Sequence, residues 1–128
     1  MDKKKTYNFE DLEVWKESRV LRIEVDKLVK KFPGDEKYKI IHQMIRASRS
    51  ITNNIAEGYG RFHYQENILF CSHSRGSAFE LLDDIIICKD KEYIDSDEYE
   101  RFKAQCNSVI KLLNGYINYL IKQKEIDK

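Results

Sequence analysis

Residues 43–61 read Gln43-Met44-Ile45-Arg46-Ala47-Ser48-Arg49-Ser50-Ile51-Thr52-Asn53-Asn54-Ile55-Ala56-Glu57-Gly58-Tyr59-Gly60-Arg61. Two stripes run through this stretch. Met44, Ala47, Ile51 and Ile55, extended upstream by Ile40, recur at spacings of three and four residues, which places them on one face of an α-helix. Arg46, Ser50, Asn53, Asn54, Glu57 and Arg61 recur at the same spacings and form a polar stripe beside the apolar one. An exposed bundle face ordinarily carries a looser mixture of Lys and Glu. Asn, Ser, Arg and Glu together suggest hydrogen-bonded groups at a buried or intersubunit boundary, with an ordinary exposed face as the alternative. Gly58 and Gly60 are expected to supply the positive φ of a helix C-terminus.

The same periodicity extends outward on both sides. Upstream, Val14, Ser18, Leu21, Val25, Leu28 and Phe32 alternate at four and three, a heptad-like stripe that predicts a helix over residues 9–31. Asn8 or Asp11 can cap it, and Glu10, Asp11 and Glu13 suit the positive end of the helix dipole. Phe32-Pro33-Gly34-Asp35 stops it, because proline cannot continue the hydrogen-bond ladder. The central helix is expected over residues 35–59. A third follows over residues 63–89, with Ile68, Cys71, Ala78, Leu82 and Ile85 in line and Phe79 and Ile86 beside them. After a charged connection a fourth starts near Ser96, with Phe102, Cys106, Val109, Leu113, Tyr116 and Leu120 as its stripe and Lys122 and Lys124 at its C-terminal end. Four helices with short connections predict an all-α, antiparallel up-down-up-down four-helix bundle. The expected organisation is a flexible basic tail over residues 1–8, one bundle domain over 9–124 and a flexible tail over 125–128.

Composition agrees with that architecture. The 128 residues are 41% hydrophobic and 35% charged, enough for one core. No apolar run approaches the roughly 20 residues of a membrane span. Lys3-Lys4-Lys5 is followed by no apolar run, so it is expected to be a solvated tail and not a signal peptide. Cys71, Cys88 and Cys106 are odd in number and lie within helical patterns, which points to free thiols in a reducing, cytoplasmic setting. The net charge of +1 hides an asymmetry: residues 37–75 hold six basic and two acidic side chains, residues 76–100 two basic and nine acidic. One basic and one acidic face would have this signature.

Catalytic and metal-binding chemistry find little support. His42, His63 and His73 lack the Glu-x-x-His spacing of di-iron bundles, and Cys71 and His73, two residues apart, point away from each other on a helix. Glu80, Asp83 and Asp84 share one side of the third helix, but no nucleophile or oxyanion hole accompanies them, and a solvated or salt-bridged face is expected. Gly58-Tyr59-Gly60-Arg61 lacks the strand and the Lys-Ser/Thr of a phosphate loop. The expectation is a chain with no catalytic residues, no metal and no cofactor.

Several motifs carry a family resemblance: Phe9-x-x-Leu12-x-Val14-Trp15; Phe32-Pro33-x-x-Glu36; Gln43-x-x-Arg46-Ala47-x-x-Ser50-Ile51-x-x-Asn54-Ile55-Ala56-Glu57-Gly58-x-Gly60-Arg61; and Gly76-Ser77-x-x-Glu80-Leu81. Over residues 9–121 the chain resembles the four-helix bundle family of 23S rRNA intervening-sequence proteins. That resemblance implies a bacterial bundle that assembles as a ring-like homopentamer, with distant relatives acting as accessory factors to reverse transcriptases. Thr52 stands where the family usually has proline, Ile45 where a basic residue is common, and Ser72-His73-Ser74 in place of a more apolar stretch.

Two functions are expected from these readings. One is a non-enzymatic accessory protein that associates with RNA or with a nucleic-acid-processing partner. Lys37, Lys39, Arg49 and Arg61 would contact phosphates, with Tyr59 or Tyr64 available for stacking. The other is a ring-forming interaction scaffold without direct RNA binding, in which basic and acidic segments meet head to tail. Trp15, Phe9 and Tyr7 would anchor it unless Trp15 belongs to the core. In either case Arg46, Ser50, Asn54, Glu57 and Glu80 are expected to form a structural polar network, with a partly buried ion pair between the second and third helices.

Overall fold

The computed structural model describes residues 7–32, 34 and 38–127. The chain is an all-α four-helix bundle. A short 3₁₀ turn, Phe9–Asp11, leads into α1 (Glu13–Val29), followed by α2 (Tyr38–Gly60), α3 (Tyr64–Asp90) and α4 (Ser96–Ile126).

Local chemistry sets most of the helix ends. Asn8 and Asp11 form a reciprocal capping box, but it caps the 3₁₀ turn, and α1 begins only after Leu12. Asp95 and Glu98 form a second box at the start of α4. That helix runs through Glu125 and Ile126, which the sequence assigned to a tail. Pro33, Asp35 and the basic tail at Lys3-Lys4-Lys5 lie outside the described residues.

Contacts between helices fix the directions. Arg46 meets Glu80, Ser50 meets Ser77 and Ile51 meets Ser74, a descending series that makes α2 and α3 antiparallel. Arg75 meets Asn114 and Asn67 meets Tyr116, so α3 and α4 are antiparallel. Glu24 meets Arg101 and Lys31 meets Glu98, so α1 and α4 are antiparallel too. Hence α1 is parallel to α3 and antiparallel to α2, which gives the up-down-up-down order.

The predicted stripes of α1 and α2 are all buried, from Val14 to Phe32 and from Ile40 to Ile55. Buried hydroxyls in these helices bond back to their own turns: Ser18 donates to the Val14 carbonyl at 2.7 Å, and Thr52 donates to the Arg49 carbonyl at 3.1 Å. Thr52 also accepts the Arg22 guanidinium at 2.9 Å and so ties α1 to α2. Trp15 is half-buried against the core, edge-on to Phe9 at 5.2 Å.

The expected stripe of α3 needs correction. Phe79 and Ile86 are exposed and Ile68 and Leu82 half-buried, whereas Asn67, Ser74, Leu81, Asp84 and Cys88 are buried with Cys71, Ala78 and Ile85. This helix carries apolar residues around its whole circumference, so periodicity does not select a face. In α4, Tyr116 is half-buried and Ile110 and Ile117 are buried. All three cysteines are buried as thiols.

The glycines of α2 also depart from expectation. Neither Gly58 nor Gly60 has positive φ; the left-handed residue is Phe62, at φ 58°. Gly58 serves packing instead. A Cβ there would lie 2.8 Å from Asn67 Oδ1 and 2.9 Å from Phe70 Cβ, so the bare backbone is what lets α3 approach α2.

Candidate functional site

The polar stripe of α2 separates into three groups in space. Arg46 Nη2 pairs with Glu80 Oε2 at 3.0 Å, with both side chains substantially exposed. Ser50 and Ser77 hydroxyls are 2.8 Å apart, and Asn54 Nδ2 donates to the Ser50 carbonyl at 2.9 Å and to its hydroxyl at 3.0 Å. Arg61 is held by Glu57 at 3.1 Å and by Glu66 at 3.3 Å, and its guanidinium lies 5.0 Å from the centre of the Phe70 ring.

The expected partly buried ion-pair network is therefore corrected. Glu57 pairs along its own helix with Arg61, and Arg46–Glu80 is a surface pair. The serine–asparagine cluster between them is the part that joins α2 to α3 away from full solvent. Exposed pairs gain little, because water screens the attraction and two long side chains must be ordered.

Of the four expected phosphate contacts, Lys37 lies outside the described residues. Lys39 and Arg49 are exposed on the outer side of α2, and neither side chain makes an ion pair with another described residue. Arg61 is partly neutralised by its two glutamates. A shallow groove follows the same side: His42, Arg46, Arg49 and Asn53 line one stretch of it, and Asn53, Glu57, Gly60 and Arg61 the next. Lys39, His42, Arg46, Arg49, Asn53 and Gly60 thus form a surface line roughly 30 Å long at 1.5 Å per residue.

Both expected stacking tyrosines are engaged. The Tyr59 hydroxyl donates to the Tyr7 carbonyl at 3.3 Å, and the Tyr64 hydroxyl donates to Asp127 at 2.7 Å. That second bond raises the Tyr64 pKa, with burial a lesser cause. Phe62, in the turn that follows α2, is the most exposed large apolar side chain among the described residues, at 84%. The glycine pair marks the end of α2, at Gly60, but not the exposed ring two residues on.

In the acidic cluster of α3, Glu80 is salt-bridged and Asp83 exposed, as expected of a solvated or salt-bridged face, but Asp84 departs from it. Asp84 is only 3% exposed, and its Oδ2 has no hydrogen-bond partner among the described residues. Burial pushes its pKa up to about 6; repulsion from Glu80 and Asp83 adds to the rise and Arg46 opposes it. Burial likewise pushes the Cys71 and Cys106 thiols up to about 12, which makes both poor nucleophiles. Among the described residues no three His, Cys, Asp or Glu side chains converge as a metal site. Among them, too, no helix is long and apolar enough to cross a membrane.

Comparison with known proteins places this geometry. A family model described as 23S rRNA-intervening sequence protein matches residues 10–115. The fold is similar to the crystal structure of a protein of unknown function from the S23 ribosomal protein family of Bacteroides thetaiotaomicron, with a TM-score of 0.77 and 23% sequence identity over 82% of this chain and 95% of that one. No curated protein matches the sequence.

Proposed function

The chain belongs to the 23S rRNA-intervening sequence protein family, and we propose that it is a non-enzymatic, cytoplasmic accessory protein that contacts RNA phosphates through the outer face of α2. The observation that carries this reading is the pair Lys39 and Arg49, exposed cations with no ion-pair partner among the described residues, set on the line of the groove. Forming a phosphate contact there breaks no ion pair among the described residues. Arg46 and Arg61 are committed to glutamates and contribute less. The net charge is only +1, so affinity depends on this local concentration of charge and on multiplying it in an assembly.

The test is fluorescence anisotropy of the protein with a structured 23S rRNA fragment at low and moderate salt. Salt-sensitive binding is expected, with Lys39→Ala and Arg49→Ala each lowering the log–log salt slope by about one. Absence of binding at low salt refutes the reading.

A second reading is a ring-forming scaffold, a homopentamer by the family resemblance. It draws on α3, whose Leu69 and Phe79 remain half-exposed on the outer side of the bundle, with Ile86 farther along. Phe79→Glu then lowers the assembled mass in light scattering while the helical content is kept. Asp83→Lys tests the electrostatic part alone, because Asp84 is buried and its charge reversal would damage the core.

A further inference from the structure

Residues 61–63 link α2 to α3, and Phe62 stands at their centre with φ 58°. That left-handed backbone suits glycine or asparagine and is strained for a bulky side chain. The strain yields no packing, since the ring is 84% exposed. Glu92, just past α3, is left-handed too, at φ 61°, so the backbone marks a helix end and it is the exposed ring that calls for a partner. The rings on either side do not share the exposure: Tyr59 and Tyr64 are half-buried and held through their hydroxyls.

The immediate surroundings narrow the partner. A protein anchor sits inside an apolar patch that excludes water around it. Phe62 is flanked instead by Gly60, Arg61 and His63, all exposed and small, charged or polar. A single π surface in a polar setting suits a flat, polar-edged ring such as a nucleobase. The groove along α2 is lined as far as Gly60 and Arg61, the residue before Phe62, and a Cβ at Gly60 would meet nothing within 4 Å, so that end is open. Arg49 lies eleven residues before Gly60 at the end of α2, roughly 16 Å along the helix.

We propose that Phe62 is a stacking platform for one unpaired base of a single-stranded RNA segment whose phosphates lie along the outer face of α2. The proposal rests on the phosphate-contact reading above and adds to it the ligand's form: the RNA is unpaired where it leaves the α2 groove. Stacking tolerates any base, so the site discriminates single strand from duplex and not one sequence from another.

The experiment uses a single-stranded RNA of about 12 nucleotides carrying 2-aminopurine, and its duplex as control, at low and moderate salt. Phe62→Asn removes the ring and suits the left-handed backbone, so its melting temperature is expected to equal or exceed that of the unaltered chain; Phe62→Trp keeps a ring. The unaltered protein and Phe62→Trp should quench the 2-aminopurine. Phe62→Asn should lose the quench and roughly tenfold in affinity with the salt slope unchanged. Full affinity and quenching in Phe62→Asn would overturn the stacking proposal and leave the phosphate reading standing. No binding by the unaltered protein would overturn both. A change in assembled mass in Phe62→Asn, with RNA affinity intact, would assign the ring to a protein contact and equally overturn the proposal.

Discussion

Asp84→Asn is expected to stabilise the fold above about pH 6 and to change it little near pH 4. The carboxyl lies in α3 at 3% exposure with Oδ2 unpaired, and burial raises its pKa from an ordinary 3.8 to about 6. Below about pH 4 the group is neutral in both folded and unfolded chains and costs nothing. As pH rises toward 6 the unfolded chain releases the proton first, so the folded state binds more protons and stability falls. Above about 6 the penalty is complete. A shift of about 2 units corresponds to roughly 3 kcal/mol as a ceiling. Glu80 and Asp83 add their repulsion from water-screened positions, and the amide of asparagine has its own desolvation cost, so about 2 kcal/mol is the working figure. For a domain of this size that is a rise in Tm of roughly 5–10 °C. Thermal melts of both proteins from pH 4 to 8 should converge at the acid end and separate through pH 5–6. Parallel curves across the range, or a less stable Asp84→Asn at pH 7.5, would refute the account of Asp84 as an uncompensated buried carboxylate.

Other substitutions separate packing from surface charge. Gly58→Ala places a Cβ within 3 Å of Asn67 Oδ1 and Phe70 Cβ, and is expected to cost about 1–3 kcal/mol in urea unfolding. Glu80→Ala removes only an exposed partner of Arg46 and should cost less than about 1 kcal/mol; a loss of several would restore the buried network. Ser77→Ala breaks the 2.8 Å contact with Ser50 at a half-buried position and should cost about 1 kcal/mol by thermal melt, more than Glu80→Ala despite involving no charge.

The sequence made the bundle legible because three of its four helices keep one dominant apolar stripe, with only a few apolar residues such as Val20 and Tyr119 outside it. Val14 to Phe32, Ile40 to Ile55 and Phe102 to Leu120 leave little choice of which face turns inward. The third helix withholds that information. With Leu69, Phe79 and Ile86 outside and Leu81, Ile85 and Cys88 inside, burial is decided by the neighbouring helices and not by its own pattern. The same ambiguity hid Asp84. Its spacing from Glu80 showed that the two share a side, but Glu80 falls on the outer edge of that side and Asp84 on the inner edge, toward α2.

The polar stripe of α2 was legible as a stripe but not as a division of labour, and the division has a physical cause. Seven residues make nearly two full turns, so Arg46, Asn53 and Gly60 stay on nearly the same outer line, while Ser50, Asn54 and Glu57 are displaced by fractions of a turn. That displacement is enough for Ser50 to reach Ser77 across the α2–α3 seam. Arg49, on the other flank, stays exposed without an ion-pair partner among the described residues. A half-buried hydroxyl needs a partner, so Ser50 is committed to Ser77 across the seam and Asn54 to Ser50 within α2. An exposed guanidinium is satisfied by water and remains available to an anion. Two residues adjacent in sequence, Arg49 and Ser50, therefore serve opposite ends: one fixes the scaffold and the other faces whatever the scaffold binds.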